Sequence, residues 1–226
     1  MQKNDFIRIS YSGKIKETQQ EFDSGDSAVV VGAKFVLPGI DEALEQMQIG
    51  EKKTIEVAPE KGFGLRDQKY IKLVPVSQFK KNNMDPYPGM IVSADNMHGR
   101  VLSVNSGRVR VDFNHPLAGK TLVYDLEVKA KIDDDKEKIK ALAEFYTKLP
   151  ADKIKVEIKD KEAEVTVPPM VSPVYKKKIA DDARAFAGIE KTKFSEVYEK
   201  GGEKEEESKA EKAGESKEEK VEEKKV

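Results

Sequence analysis

The stretch Phe35-Val36-Leu37-Pro38-Gly39-Ile40-Asp41-Glu42-Ala43-Leu44-Glu45-Gln46-Met47 decides how the rest of the chain is read. Ile40, Ala43, Leu44 and Met47 fall at i, i+3, i+4 and i+7, one face of a short helix. Gly39 precedes that helix, and Gly50 is expected to follow it as the C′ residue. On either side the period changes from helical to two. In Phe6–Ser12, Ile7, Ile9 and Tyr11 alternate with Arg8 and Ser10. Ala28–Val31 reads as a short apolar strand ended by Gly32, and Thr54–Val57 as a strand stopped before Pro59. Leu122, Tyr124, Leu126 and Val128 alternate with Asp125 and Glu127, a half-buried strand.

These pieces form one unit, residues 1–70 and 120–132. Residues 71–119 differ: turns are dense, Asp85-Pro86-Tyr87-Pro88-Gly89 is a turn cluster, and Asn105-Ser106-Gly107 joins two short apolar runs as a hairpin signal. This segment is expected to be a small all-β module set into the first unit. Residues 133–200 form a third unit. Its order is α-β-β-α with room for a final strand near Ile189–Tyr198. A helical stripe (Ile139, Leu142, Tyr146, Leu149) is followed by a hairpin turning at Lys159-Asp160-Lys161. A helix then opens at Ser172-Pro173 and ends at Gly188. Residues 201–226 hold ten Glu, seven Lys and no aromatic, too little apolar surface to offset ordering entropy, and are expected to be a disordered charged tail.

Composition excludes several classes. Lys+Arg 41 against Asp+Glu 42 leaves a net charge of −1, without the basic excess of a mainly electrostatic nucleic-acid binder. There is no Cys, hence no disulfide, thiolate metal site or cysteine nucleophile, and two His leave little for a His-based metal centre, so no metal and no cofactor is expected. No apolar run is long enough for a membrane span, and the first residues lack an apolar signal core. A cytoplasmic protein is the expectation. Ala118-Gly119-Lys120-Thr121 imitates the end of a P-loop, but Asn114 stands where the first Gly belongs, and Thr121 enters a strand. His98 and His115 read as surface or loop-fixing residues. What remains is a set of aromatic and aliphatic residues around turns, with Phe22-Asp23-Ser24-Gly25 and Gly62-Phe63-Gly64 in apparent loops, which suits a shallow apolar pocket holding one carboxylate.

Taken in order, Tyr11, Glu21-Phe22-Asp23-Ser24, Val31-Gly32 with Phe35 through Leu44, Met47 with Gly50-Glu51-Lys52, Pro59 through Gly64, and Asn114 through Leu122 resemble FKBP-type peptidyl-prolyl isomerases over about 130 residues. The segment between Gly64 and Asn114 sits where SlyD-like members carry an insert-in-flap chaperone domain. The third unit looks like the extension of long archaeal members. The resemblance implies an α+β fold: a half-wrapped antiparallel sheet around a short helix, with an inserted small β domain and a C-terminal α-β-β-α domain. It implies a pocket lined by Tyr11, Phe22, Asp23, Val36, Leu37, Ile40, Phe63, Leu117 and Tyr124. The activity implied is rotamase action on X-Pro bonds in unfolded or partly folded chains, coupled to chaperone activity. Met84, Met90, Met97, Leu102 and Phe113 are the expected client surface of the insert; methionines suit promiscuous apolar contact. Macrolides are expected to bind the pocket, and a homodimer or ribosome contact would use the third unit. Phe63 stands where many relatives have Tyr, which removes a hydroxyl donor, and Phe35 replaces a common acidic residue. A binding-only chaperone is the alternative reading.

Overall fold

The computed structural model describes residues 1–94 and 97–198, and the chain divides into two compact units, Met1–Asp134 and Asp135–Val226. The expected tail, 201–226, lies outside the described residues.

The first unit is built on a four-stranded antiparallel sheet. Its strands are β1 (Phe6–Ile15), β2 (Glu21–Val30), β3 (Lys52–Val57) and a later strand, β8 (Leu122–Ile132), in the order β2-β1-β8-β3. Alternation puts Ile7, Ile9, Leu122, Leu126 and Val128 inside, each nearly or fully buried. Helix α1 (Pro38–Gln46) packs against β3, with Ile40 and Leu44 on its buried side. Asp41, also buried on α1, accepts backbone N–H bonds from Gly32 (2.7 Å) and Lys34 (3.2 Å), which ties the loop bearing Val36 and Leu37 to the helix.

Two local expectations are corrected here. The strand expected at Ala28–Val31 begins at Glu21, so Phe22–Gly25 lie in β2 and not in a loop. β2 is an edge strand, and its outer half needs no apolar residues because one side of it meets water. The helix ends before Gly50: Met47 caps α1, and Gly50 belongs to the following turn.

Between Gly64 and Asn114 the chain forms its second sheet. Its strands are β4 (Ile71–Pro75), β5 (Ile91–Ala94), β6 (Met97–Asn105) and β7 (Arg108–Asp112), in the order β4-β7-β6-β5. Ser106 (φ 47°) and Gly107 (φ 74°) both take the left-handed conformation that a two-residue hairpin between twisted strands requires. Phe79, Val101, Val109 and Val111 form the module's core. The module is not all-β: α2 (Val76–Lys81) covers one face and supplies Phe79. Six residues are too few for a helical period to register in the sequence.

Entry and exit of the module are clamped together. The Asn114 amide donates to Asp67 O (2.9 Å) and accepts from Asp67 N (2.9 Å). It also donates to Asp112 Oδ1 (2.7 Å), while Arg66 pairs with the other Asp112 oxygen. Burial alone would raise the Asp112 carboxyl, but the Asn114 hydrogen bonds and the Arg66 guanidinium hold it below its ordinary value. A depressed folded-state value makes this stabilisation complete above the unfolded value of 3.8 and lost as pH falls through the folded one. Asp112→Asn is therefore expected to destabilise the protein at neutral pH and to converge with wild type in acid melts once the pH has fallen through the depressed folded-state value.

The second unit has α3 (Asp135–Thr147), β9 (Lys155–Lys159), β10 (Glu162–Val167), α4 (Pro173–Ala187) and β11 (Lys191–Glu196). β9 and β10 form the expected hairpin; β11 pairs parallel to β10, and the helix between them makes the crossover that a parallel pair needs. Ser172 Oγ accepts from Val174 N at the start of α4, with Pro173 at the first helical position. Gly188 (φ 67°) ends it. Leu149 falls beyond α3, since Lys148 has already left helical geometry at φ 56°.

Candidate active site

The central strand β1 brings Tyr11 between β2 and β8, opposite Gly25 and Leu126. Two residues further on, Gly13 faces both Asp23 and Tyr124. The β1–β2 register then slips: Lys14 opposes Glu21, so Phe22 has no partner. That bulge lets adjacent residues Phe22 and Asp23 escape strict alternation and serve one site. Phe22 is edge-on to Tyr124 (centroids 5.8 Å, 90°) and to Phe63 (6.4 Å, 80°). A Cβ on Gly13 would fall 2.7 Å from Tyr124 Cε1 and 2.9 Å from Phe22 Cζ, so only glycine leaves room for this pair of rings. Gly13 was not legible as a site residue: its strand pattern continues through it unchanged.

Phe63 stands on a turn fixed by Gly62 N and Gly64 N, both donating to Pro59 O (3.1 and 2.7 Å). Its outer face carries the His115 ring, stacked at 4.3 Å and 3°. His115 Nδ1 accepts from Leu117 N (3.2 Å), which fixes the imidazole and shapes the turn that presents the half-buried Leu117. His115, expected as a surface or loop-fixing residue, thus also stacks on Phe63. Val36 and Leu37 lie half-buried on the loop held by Asp41, and Ile40 is buried at the start of α1.

The polar content of the site is small. Tyr11 Oη donates to Asp23 Oδ1 at a long 3.5 Å. Burial, then the charge of Asp23, raises the Tyr11 phenol; burial, then Asp23 and Tyr11, pushes Tyr124 up to about 12. Both hydroxyls therefore stay protonated at neutral pH and act as donors. Among the described residues no cluster of His, Asp or Glu is arranged to hold a metal ion. The site offers apolar walls, two phenol donors and one carboxylate, without a nucleophile–base pair.

The inserted module has a groove of its own, about 400 Å³, whose walls include Val74, Phe79, Met84, Val92, Met97 and Phe113. Of the expected client residues, Met84, Met97 and Phe113 line it. Met90 packs against the module's core, and Leu102 sits half-buried where the β6–β7 register slips. No described helix is long and apolar enough to cross a membrane.

A family model described as "FKBP26, IF domain" matches residues 72–117, and one described as "FKBP26_C-terminal" matches residues 135–199. A short-type peptidyl-prolyl cis-trans isomerase of Methanocaldococcus jannaschii is 30% identical over 145 residues, covering 57% of this chain and 92% of that protein. A probable FKBP-type 16 kDa isomerase of Pseudomonas fluorescens is 37% identical over 112 residues (47% and 73%). The FKBP-type isomerase SlyD of Helicobacter pylori is 31% identical over 143 residues (57% and 76%). With its α+β fold, its aromatic site and these relatives in agreement, the chain belongs to the FKBP-type peptidyl-prolyl cis-trans isomerases.

Proposed function

We propose that the pocket framed by Tyr11, Phe22, Asp23, Phe63 and Tyr124, with Val36, Leu37, Ile40 and Leu117, isomerises X-Pro bonds by desolvation, and that the groove of the inserted module holds unfolded clients for it. The uncatalysed barrier is about 18–20 kcal/mol because the planar amide keeps its resonance and its polarity. The twisted transition state has lost both, and water favours it less than the ground state. An apolar pocket reverses that preference without proton transfer or a covalent step. Lowering the barrier by about 5 kcal/mol gives a few thousand-fold acceleration. Asp23, accepting the Tyr11 hydroxyl proton, orients the chain, and the protonated Tyr124 supplies a phenol donor among the apolar walls.

The observation that carries this reading is the edge-on packing of Phe22 against both Phe63 and Tyr124. Catalytic amounts of the protein should speed proline-limited refolding, and a macrolide filling the pocket should abolish the effect. Suppressed aggregation without acceleration would leave a binding-only chaperone.

The second unit is the self-association surface in this proposal. β9 and β11 are both edge strands, and Met170, Val174, Tyr175, Val197 and Tyr198 are exposed large apolar residues. Sedimentation of the full chain should show a dimer that a truncation after Ile132 loses; identical behaviour of the two would sink the dimer and leave docking to a larger assembly such as the ribosome.

A further inference from the structure

The module's sheet has a second face, turned away from the core, and its chemistry differs from that of the groove. On β7, Val109 and Val111 point inward, so Arg108, Arg110 and Asp112 point outward. Register places Arg100 of β6 opposite Asp112, and Leu73 of β4 opposite Arg110. Ile91 of β5 lies opposite Arg100. Leu73 and Ile91 are 64% and 58% exposed. The nearest carboxylate, Asp112, is already taken by Arg66 and Asn114. Among the described residues no ion pair or side-chain hydrogen bond holds Arg100, Arg108 or Arg110.

Half of the chain's six arginines form or adjoin one stripe in a protein whose other cations are overwhelmingly lysine. The guanidinium fork matches a carboxylate through two parallel bonds, which an ammonium cannot do. Lysines would have kept the face soluble equally well. The aliphatic flanks add apolar contact on both sides of the charge. By strand register the described face carries no Phe, Tyr or Trp ring, only the His98 imidazole held by Ser93, and extended aromatic platforms are what single-stranded nucleic acid binding uses. The chain's net charge of −1 supplies no general attraction to a phosphate backbone.

We infer that the outward face of the inserted module, through Arg100, Arg108 and Arg110 flanked by Leu73 and Ile91, binds acidic segments of unfolded polypeptide. This rests on the client-capture reading of the module and adds the class of client it selects: chains in which apolar stretches alternate with Asp and Glu. Such a segment engages the stripe while its apolar neighbour occupies the groove, and two weak contacts on one module act together.

The test uses the full chain and two labelled, permanently unfolded polypeptides of equal apolar content, one with Glu at its polar positions and one with Gln. Three exposed ion pairs acting together should give about a tenfold tighter binding of the Glu polypeptide at low salt. That preference should vanish in Arg100→Gln/Arg108→Gln/Arg110→Gln and survive in part in the matching Lys variant. The Gln polypeptide should bind both variants as tightly as it binds wild type, showing that the module and its groove are intact. Met84→Gln with Met97→Gln should weaken both polypeptides alike. Equal affinity for the two polypeptides, or a preference that persists without the arginines, would overturn the inference and leave client capture standing. Binding of neither polypeptide would remove the capture reading itself. A single-stranded RNA oligonucleotide that binds more tightly than the Glu polypeptide, and is lost in the Gln variant, would reassign the face to nucleic acid.

Discussion

Excision of residues 71–113, with Tyr70 joined to Asn114 by a short loop, is expected to slow catalysis of proline-limited protein refolding about a hundredfold while sparing a tetrapeptide substrate. The geometry allows the deletion. Tyr70 O accepts from Phe113 N at 2.9 Å, and Ile71 opposes Asp112 in the β4–β7 ladder, so the cut ends are already neighbours. The pocket residues Tyr11, Phe22, Asp23, Phe63 and Tyr124 all lie outside the excised segment. A proline in a long unfolded chain reaches a shallow pocket rarely and leaves it quickly. A second contact on the same molecule makes the pocket encounter intramolecular, and for short tethers this raises the local concentration by orders of magnitude. A tetrapeptide is too short to touch both sites, so its kcat/KM should be unchanged. Equal losses on both substrates would mean that the module holds the pocket in shape and does not capture clients.

Phe22→Ala is expected to lower kcat/KM about a hundredfold on tetrapeptide and protein alike. Phe22 stands edge-on to both Phe63 and Tyr124, so its removal opens a gap beside both rings and admits water there. Desolvation is the whole of the proposed catalysis, and a wetted pocket no longer prefers the twisted amide. The side chain is only half-buried, so the stability cost should stay near 1–2 kcal/mol, below the range for a Phe→Ala change in a sealed core. Phe22→Leu should recover part of the activity by restoring apolar volume. Measured tetrapeptide rates within a factor of two of wild type would show that the aromatic junction is not the seat of catalysis. Asp23→Ala, which removes an orienting group and leaves the walls intact, should cost less.

Much of this architecture could be read from local pattern. The helix at Ile40–Met47, the strands through Tyr11 and Tyr124, the hairpin at Ser106-Gly107 and the capped helix after Ser172 each follow from a period or a turn signal that spans a few residues. The aromatic site was legible as an ordered series of motifs. What escaped has a common physical cause. Phe22–Gly25 read as a loop because Asp, Ser and Gly resemble turn chemistry, yet one ladder of hydrogen bonds to β1 suffices to hold an edge strand. Helix α2 escaped because one and a half turns carry no period. The stacking of His115 on Phe63 joins residues 52 positions apart and leaves no mark on either segment.

The sequence by itself determined most of the helices and strands and the ordered series of motifs that marks the family. Only the tertiary structure decided how those residues meet. The bulge at Phe22 turns two adjacent side chains into one site, and Gly13 leaves the gap that Phe22 and Tyr124 fill. Asn114 clasps the two ends of the inserted module, and strand register aligns three arginines from β6 and β7 on one outward face. Periodicity is a property of neighbours along the chain. Register, close approach and stacking are set by packing between segments far apart in sequence, where excluded volume and hydrogen-bond pairing select one alignment among many that the local pattern allows.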